Sequence, residues 1–114
     1  MELNNNIIIE LVESLKIIDP YKIYLFGSHA SGNSDDESDV DIVVILDEFI
    51  IPADYSERMK RKLLVRRALY NLSRKIQIDI VVYTRGEFKK ISELKTSFYN
   101  TLKSDGVVLY EKAG

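Results

Sequence analysis

The sequence LFGSHASGNSDDESDVDIVVIL, residues 25–46, contains two apolar runs separated by a polar stretch. The first run begins at Tyr21, is rich in β-branched and aromatic residues and ends at Gly27, so it predicts a buried strand that enters a tight turn. The second run, Val40–Leu46, is apolar on both faces except for Asp39 and Asp41 at its start, which predicts a strand inside a sheet. Residues 31–37 carry turn-forming residues without apolar periodicity and predict a loop.

Apolar spacing also predicts the elements outside this stretch. Asp19 before Pro20 ends a first helix, because proline disfavours helical backbone in its predecessor. Thr84 with Glu87 predicts a capping box at a helix start. The predicted order is helix 7–18, strand 21–26, strand 40–46, a basic helix 59–72 that starts near Asp54 and Glu57, strand 76–83, helical segments 88–94 and 98–102, and strand 107–110.

The length and composition indicate one folded domain. The chain has 114 residues, of which 46% are apolar and 30% charged, as in ordered globular proteins. There is no cysteine, which excludes disulfide frameworks, thiolate zinc sites and cysteine nucleophiles. The N-terminus has no basic segment before its apolar stretch, and no run is long enough to cross a bilayer. We therefore predict a cytoplasmic protein, with residues 1–114 as a single domain and no membrane partner.

The charges are distributed unevenly along the chain. Residues 1–50 hold two basic and eleven acidic residues, a net charge of −9, whereas residues 51–114 hold fourteen basic and seven acidic residues, a net charge of +7. This pattern suits a carboxylate-rich site beside a basic surface for phosphates or a protein partner. Mutual neutralisation of the two halves across the fold is the simpler interpretation. The sequence leaves both interpretations open.

Three aspartates interrupt apolar strands and predict the chemistry. Asp39 and Asp41 are two residues apart, so in a strand their side chains leave the same face. Asp79 lies in the run IQIDIVVYT, residues 76–84, where a central strand rarely holds an acid without cause. Burial of a carboxylate is costly unless a partner or a metal neutralises it. We therefore expect the three to share a hard cation.

Oxygen ligands favour magnesium or manganese, which leave positions open for phosphate oxygens. Two such ions could stabilise the attacking and leaving oxygens of an in-line displacement, with transfer of a nucleoside monophosphate as the obvious candidate. Gly27 permits close approach of a ligand, and Ser28 offers its hydroxyl and amide to phosphate. Each residue alone also fits an ordinary turn or a local cap.

These motifs resemble the DNA polymerase beta-like nucleotidyltransferase superfamily, and within it the minimal nucleotidyltransferases. The resemblance rests on Gly-Ser, ten residues, then Asp-x-Asp, with a later Asp in an apolar strand, and covers nearly the whole chain. It implies an α+β fold with a small mixed β-sheet and flanking helices. It also implies that Gly27 and Ser28 bind nucleotide phosphate, that Asp39 and Asp41 hold two Mg²⁺ or Mn²⁺ ions, and that Asp79 completes the metal site and helps activate the acceptor hydroxyl.

The loop after Ser28 departs from this family pattern. Many members carry arginine directly after Gly-Ser and again two positions on, whereas this chain has His29 and Ser31. Loss of a guanidinium removes a bidentate phosphate contact, so we expect nucleotide affinity or orientation to differ from that of such relatives.

Minimal nucleotidyltransferases are typically paired with a HEPN-domain RNase toxin, so the resemblance implies an antitoxin that transfers AMP from ATP to a tyrosine of that partner. Two alternatives remain: a small-molecule nucleotidyltransferase similar to aminoglycoside-modifying enzymes, which usually have more domain mass, and a non-catalytic toxin-binding antitoxin. The basic helix, with cationic residues from Arg58 to Lys75, is a candidate docking surface or a solvated face. Direct nucleic-acid binding is disfavoured by the pI of about 5.4 and the lack of a base-stacking motif.

Overall fold

The computed structural model describes residues 5–27, Ala30 and residues 39–113. Within these residues, helices pack against a four-stranded sheet. The elements are α1 (Asn5–Lys16), β1 (Pro20–Phe26), β2 (Val40–Leu46), α2 (Tyr55–Ala68), α3 (Tyr70–Ser73), β3 (Ile78–Thr84), α4 (Arg85–Leu94), α5 (Ser97–Asp105) and β4 (Val107–Glu111). No helix in the described part of the chain has the length and apolar character needed to cross a bilayer.

The sheet is mixed and has the strand order β3-β2-β1-β4. Strand β1 pairs antiparallel with both β2 and β4, whereas β2 and β3 are parallel. The carboxyl end of β1 and the amino ends of β2 and β3 therefore meet at one end of the sheet. The predicted α+β architecture with a mixed sheet is confirmed, and β2 lies inside the sheet as predicted.

Each face of the sheet is covered by a different helical layer. Helices α1 to α3 cover the face formed by the even positions of β2, such as Ile42 and Val44, through Leu11, Leu15, Val65, Leu69 and Leu72. Helices α4 and α5 cover the opposite face, where Val43 and Ile45 pack with Tyr24 and Leu102 and with partly buried aromatic residues. Because both faces are covered, β2 is apolar at almost every position.

Two sequence predictions differ from the structure. The predicted helix 59–72 is divided into α2 and α3 at Leu69, whose φ of −97° and ψ of 7° leave the helical region. Strand β3 forms an edge of the sheet, although we expected a central strand there. Its apolar character arises because helices cover both of its faces. The capping box of Thr84 and Glu87 is confirmed, since each side chain accepts a hydrogen bond from the other's backbone N–H.

Candidate active site at one edge of the sheet

Two of the predicted aspartates lie side by side in the sheet. Asp41 near the start of β2 is in register with Asp79 near the start of β3, and on the other side it is in register with Phe26 at the end of β1. Alternation along β2 and β3 places both carboxylates on the face that α4 and α5 cover, together with Val43 and Val81. The pairing thus forms a row of two acids and one aromatic ring across three neighbouring strands.

Gly27 follows β1 and contacts the Asp41 carboxylate. Its φ is +76°, a backbone conformation that favours glycine. A Cβ at this position would collide with Oδ2 of Asp41 and lie 3.2 Å from the carboxyl carbon. The glycine therefore serves two local needs, a left-handed turn and close approach of the backbone to an acid.

The exposure of the acids differs from expectation. Asp39 lies directly before β2 and is exposed, Asp79 is exposed, and Asp41 is partly buried. The cost of burying an isolated carboxylate therefore does not apply to Asp39 or Asp79, since the edge position of β3 gives Asp79 access to solvent. That accessibility suits residues that meet a substrate.

The oxygen chemistry of these residues fits magnesium or manganese. The strand register brings Asp41 and Asp79 together, and Asp39 directly precedes β2, two residues before Asp41 in the chain. However, within residues 5–27, 30 and 39–113 no three acidic or histidine side chains converge tightly enough to form a metal site. The backbone thus places the predicted ligands at the same end of the sheet, whereas their side chains do not form a metal-coordination site.

The other loop residues singled out in the sequence cannot be located. Ser28, His29 and Ser31 lie outside the described residues. Gly27, the residue before them, lies against the Asp41 carboxylate.

An open cavity of about 450 Å³ adjoins this end of the sheet and was missed by the sequence analysis. It lies between the end of β1 and helix α5. The Phe26 and Phe98 rings meet edge to face in its wall, with centroids 5.9 Å apart. The remaining lining residues are Gly27, Ser97, Thr101, Leu102 and Asp105. The recurrence of polar residues at 97, 101 and 105 was a usable signal, because a spacing of four places them on one helix face.

Charges at the opposite end of the sheet are neutralised by ion pairs. Asp47, just after β2, accepts hydrogen bonds from Arg85 at 2.9 Å and from Lys112 at 2.8 Å. The bond from Lys112, and then that from Arg85, lowers the pKa of Asp47 below its usual value. Lys112 also binds Asp19 at 2.7 Å, and its bonds to Asp19 and Asp47 raise its pKa.

The predicted basic helix carries both paired and unpaired cations. Arg61 binds Glu48 at 2.9 Å and Glu57 at 3.1 Å, and Arg58 pairs with the buried Glu87. In the described part of the chain, no carboxylate partner is observed for Lys60, Lys62, Arg66 or Arg67. Part of the helix therefore holds neighbouring elements in place, and part of it is a solvated basic face.

The sequence of the chain is similar to that of known proteins. The family model described as polymerase beta nucleotidyltransferase matches residues 6–113. Two Methanocaldococcus jannaschii proteins, each named "putative protein adenylyltransferase", are similar in sequence. MJ0141 is 31% identical over 86 residues, covering 75% of each chain. MJ0604 is 33% identical over 89 residues, covering 78% of this chain and 77% of the relative.

Solved structures share the fold. A crystal structure of a toxin-antitoxin with AMP-PNP matches 96% of this chain and 75% of that chain, with a TM-score of 0.59 and 23% identity. A mutant of the toxin-antitoxin MntA-HpeT matches the same shares with a TM-score of 0.51 and 21% identity. With the family match spanning nearly the whole sequence, this chain belongs to the polymerase beta nucleotidyltransferase family and is a nucleotidyltransferase enzyme.

Proposed function

We propose that this chain transfers AMP from ATP to a hydroxyl group of a partner protein, and that the acceptor is a tyrosine of a HEPN-domain RNase toxin. The observation that carries the proposal is the alignment of Asp79 and Asp41 on adjacent strands, with Gly27 against the Asp41 carboxylate. This arrangement joins oxygen ligands for a cation to a turn that a phosphate can approach. The names of the sequence relatives support a protein as the acceptor.

Asp39, Asp41 and Asp79 would hold two magnesium ions, or manganese in their place. When bound, such ions neutralise charge on the attacking and leaving oxygens of a phosphoryl displacement. The backbone at Gly27, together with the hydroxyl and amide of Ser28, binds the phosphates of ATP. The residues of the chain thereby hold the α-phosphate over the start of β2 and β3.

The transfer itself exchanges one phosphorus–oxygen bond for another. The acceptor oxygen bonds to the α-phosphorus of ATP, the bond from that phosphorus to the oxygen bridging to the β-phosphate breaks, and pyrophosphate leaves. Asp79 accepts the hydroxyl proton, because it lies on the edge strand and is exposed to an incoming acceptor.

The second candidate function is a non-catalytic antitoxin that neutralises its toxin by contact alone. One observation favours it: the acidic side chains of the described residues do not converge into a three-ligand site. In that case the metal-binding residues are relict, and the unpaired cations of α2 supply a contact surface.

Incubation with ATP labelled at the α-phosphate, magnesium and a candidate HEPN protein tests both functions. Wild type is compared with Asp41→Asn and with Asp47→Asn, a matched control at the opposite end of the sheet. We expect label on the partner with wild type and the control, but not with Asp41→Asn. Label that persists with Asp41→Asn refutes the metal assignment.

Toxin neutralisation by Asp41→Asn without transfer supports the contact-only antitoxin. Label on a small molecule in the absence of a partner protein assigns the enzyme to the small-molecule class. Asp79→Asn separates roles further, because a proton acceptor affects turnover far more than nucleotide binding. Equal losses of turnover and binding assign Asp79 to metal holding alone.

A further inference from the structure

The cavity beneath α5 has two kinds of lining. One wall is apolar and aromatic, formed by Phe26, Phe98 and Leu102. Along the other wall, Ser97, Thr101 and Asp105 recur at intervals of four residues on α5. A flat heterocycle fits such a space, because its face packs on apolar rings while its polar edge meets hydrogen-bonding groups.

The cavity is directly connected to the candidate active site. Gly27 lines the cavity and also contacts the Asp41 carboxylate. Phe26 lines the cavity and is the β1 partner of Asp41 in the sheet register. Neighbouring strands lie about 4.8 Å apart, so a nucleotide with its phosphates beside Asp41 has its base within reach of the cavity.

The polar groups of the cavity are available to a ligand. Asp105 accepts one hydrogen bond from the adjacent Ser104 at 3.1 Å. The hydroxyls of Ser97 and Thr101 have no hydrogen-bond partner among the described residues. Asp105 is also the last residue of α5, where a carboxylate meets the negative end of the helix dipole. An acid at this position contributes little to the helix, and its exposed carboxylate is accessible to a ligand.

We propose that this cavity binds the base of the nucleotide, and that Asp105 and Thr101 select a purine with an amino group at carbon 6. The inference rests on the proposed function for its phosphate site and adds the specificity of the base. A carboxylate only accepts hydrogen bonds, so it accepts one from the amino group of adenine. The Thr101 hydroxyl donates a hydrogen bond to the neighbouring ring nitrogen.

Inosine triphosphate provides the matching probe, because its base has a carbonyl in place of that amino group and a hydrogen on the neighbouring ring nitrogen. In wild type, the Asp105 carboxylate then faces another acceptor, whereas the Thr101 hydroxyl can turn to accept from the ring N–H. A site built around a hydrogen bond rejects an analogue that lacks it, so we expect ATP to bind at least about tenfold more tightly than inosine triphosphate.

The test measures the Kd of both nucleotides in the presence of magnesium and without any acceptor protein. Asp105→Asn is the decisive variant, because an amide both donates and accepts. We expect its preference for ATP to fall to about twofold or less, chiefly through a gain in affinity for inosine triphosphate. Asp47→Asn, the same substitution at the other end of the sheet, retains the wild-type preference.

A second variant, Thr101→Trp, fills the cavity and is expected to weaken binding of both nucleotides by more than about tenfold. Circular dichroism confirms that the variant is folded. If both Asp105→Asn and the folded Thr101→Trp variant keep the wild-type affinities for ATP and inosine triphosphate, the cavity assignment is wrong. It is also wrong if wild type binds neither nucleotide. Base selectivity as expected, together with no transfer to any protein, overturns the proposed function and leaves the base site standing.

Discussion

The two ends of the same sheet handle charge in opposite ways. At the end where β2 and β3 begin, Asp41 and Asp79 are neighbours, and Asp39 and Asp79 have no cationic partner among the described residues. At the end where these strands finish, Asp47 has two cationic partners, and Glu87 lies buried in an ion pair and a capping box.

This difference separates charges that hold the fold from charges that are available to a ligand. Like charges on adjacent strands repel, so the proximity of Asp41 and Asp79 favours the binding of a cation between them. At the opposite end, the carboxylates of Asp47, Glu48 and Glu87 are all held in ion pairs with described residues. Substitutions at the two ends should therefore affect different properties.

Asp41→Asn should have the largest effect, and it should be on activity. Loss of a metal-binding charge worth several kcal/mol corresponds to a fall of about a thousandfold in the rate of AMP transfer. Transfer is measured with labelled ATP, and the thermal unfolding midpoint is measured in parallel. A large loss of stability in this variant, with transfer retained by the folded fraction, would place Asp41 among the structural charges.

Gly27→Ala should affect both properties, since the added methyl group meets the Asp41 carboxylate and the φ of +76° disfavours alanine. We expect a loss of about 1 kcal/mol or more in the free energy of unfolding and a loss of about tenfold in ATP affinity. Gly86→Ala is the matched control, because its methyl group meets the Phe49 carbonyl at the other end of the sheet. The control should lose stability without losing ATP affinity. Equal losses of ATP affinity in both variants would contradict the assignment of nucleotide binding to the Gly27 end of the sheet.

Glu87→Ala should lower stability while leaving the chemistry intact. Glu87 is 7% exposed, pairs with Arg58 and accepts the buried N–H of Thr84. Because Arg58 is half exposed, we attribute most of the loss to the unpaired N–H and expect about 2 kcal/mol by urea unfolding. Glu93→Ala, at an exposed position of the same helix, should cost much less. The hypothesis fails if the two variants unfold at the same urea concentration.

Asp47→Asn should have the smallest effect, visible as a change in pH dependence. The pKa of Asp47 is lower in the folded chain than its usual value of 3.8, because Lys112 and Arg85 bind the carboxylate. Its contribution to stability is therefore complete above that value and is lost as the pH falls through the lowered pKa. Urea midpoints of wild type should decline more steeply with acidification than those of the variant, and parallel curves would show that the pairs contribute nothing.

Much of the fold followed from local patterns. The strand Val40–Leu46 has its predicted bounds, because a run that is apolar on both faces has little alternative to burial inside a sheet. The capping box at Thr84 was also predictable, since its hydrogen bonds join residues three apart. The edge position of β3 was not predictable, because covering helices give an edge strand the same apolar pattern as a central one.

The sequence by itself determined the residue types of the site and the two-residue spacing of Asp39 and Asp41 at the start of one strand, because both are fixed by the order of residues along the chain. Tertiary structure decided which residues stand beside them. The register of β2 with β3 aligns Asp41 with Asp79, and its register with β1 places Phe26 on the other side of Asp41. Helix α5 then completes a cavity next to Gly27. Strand register depends on contacts between residues far apart in the chain, which no local pattern specifies.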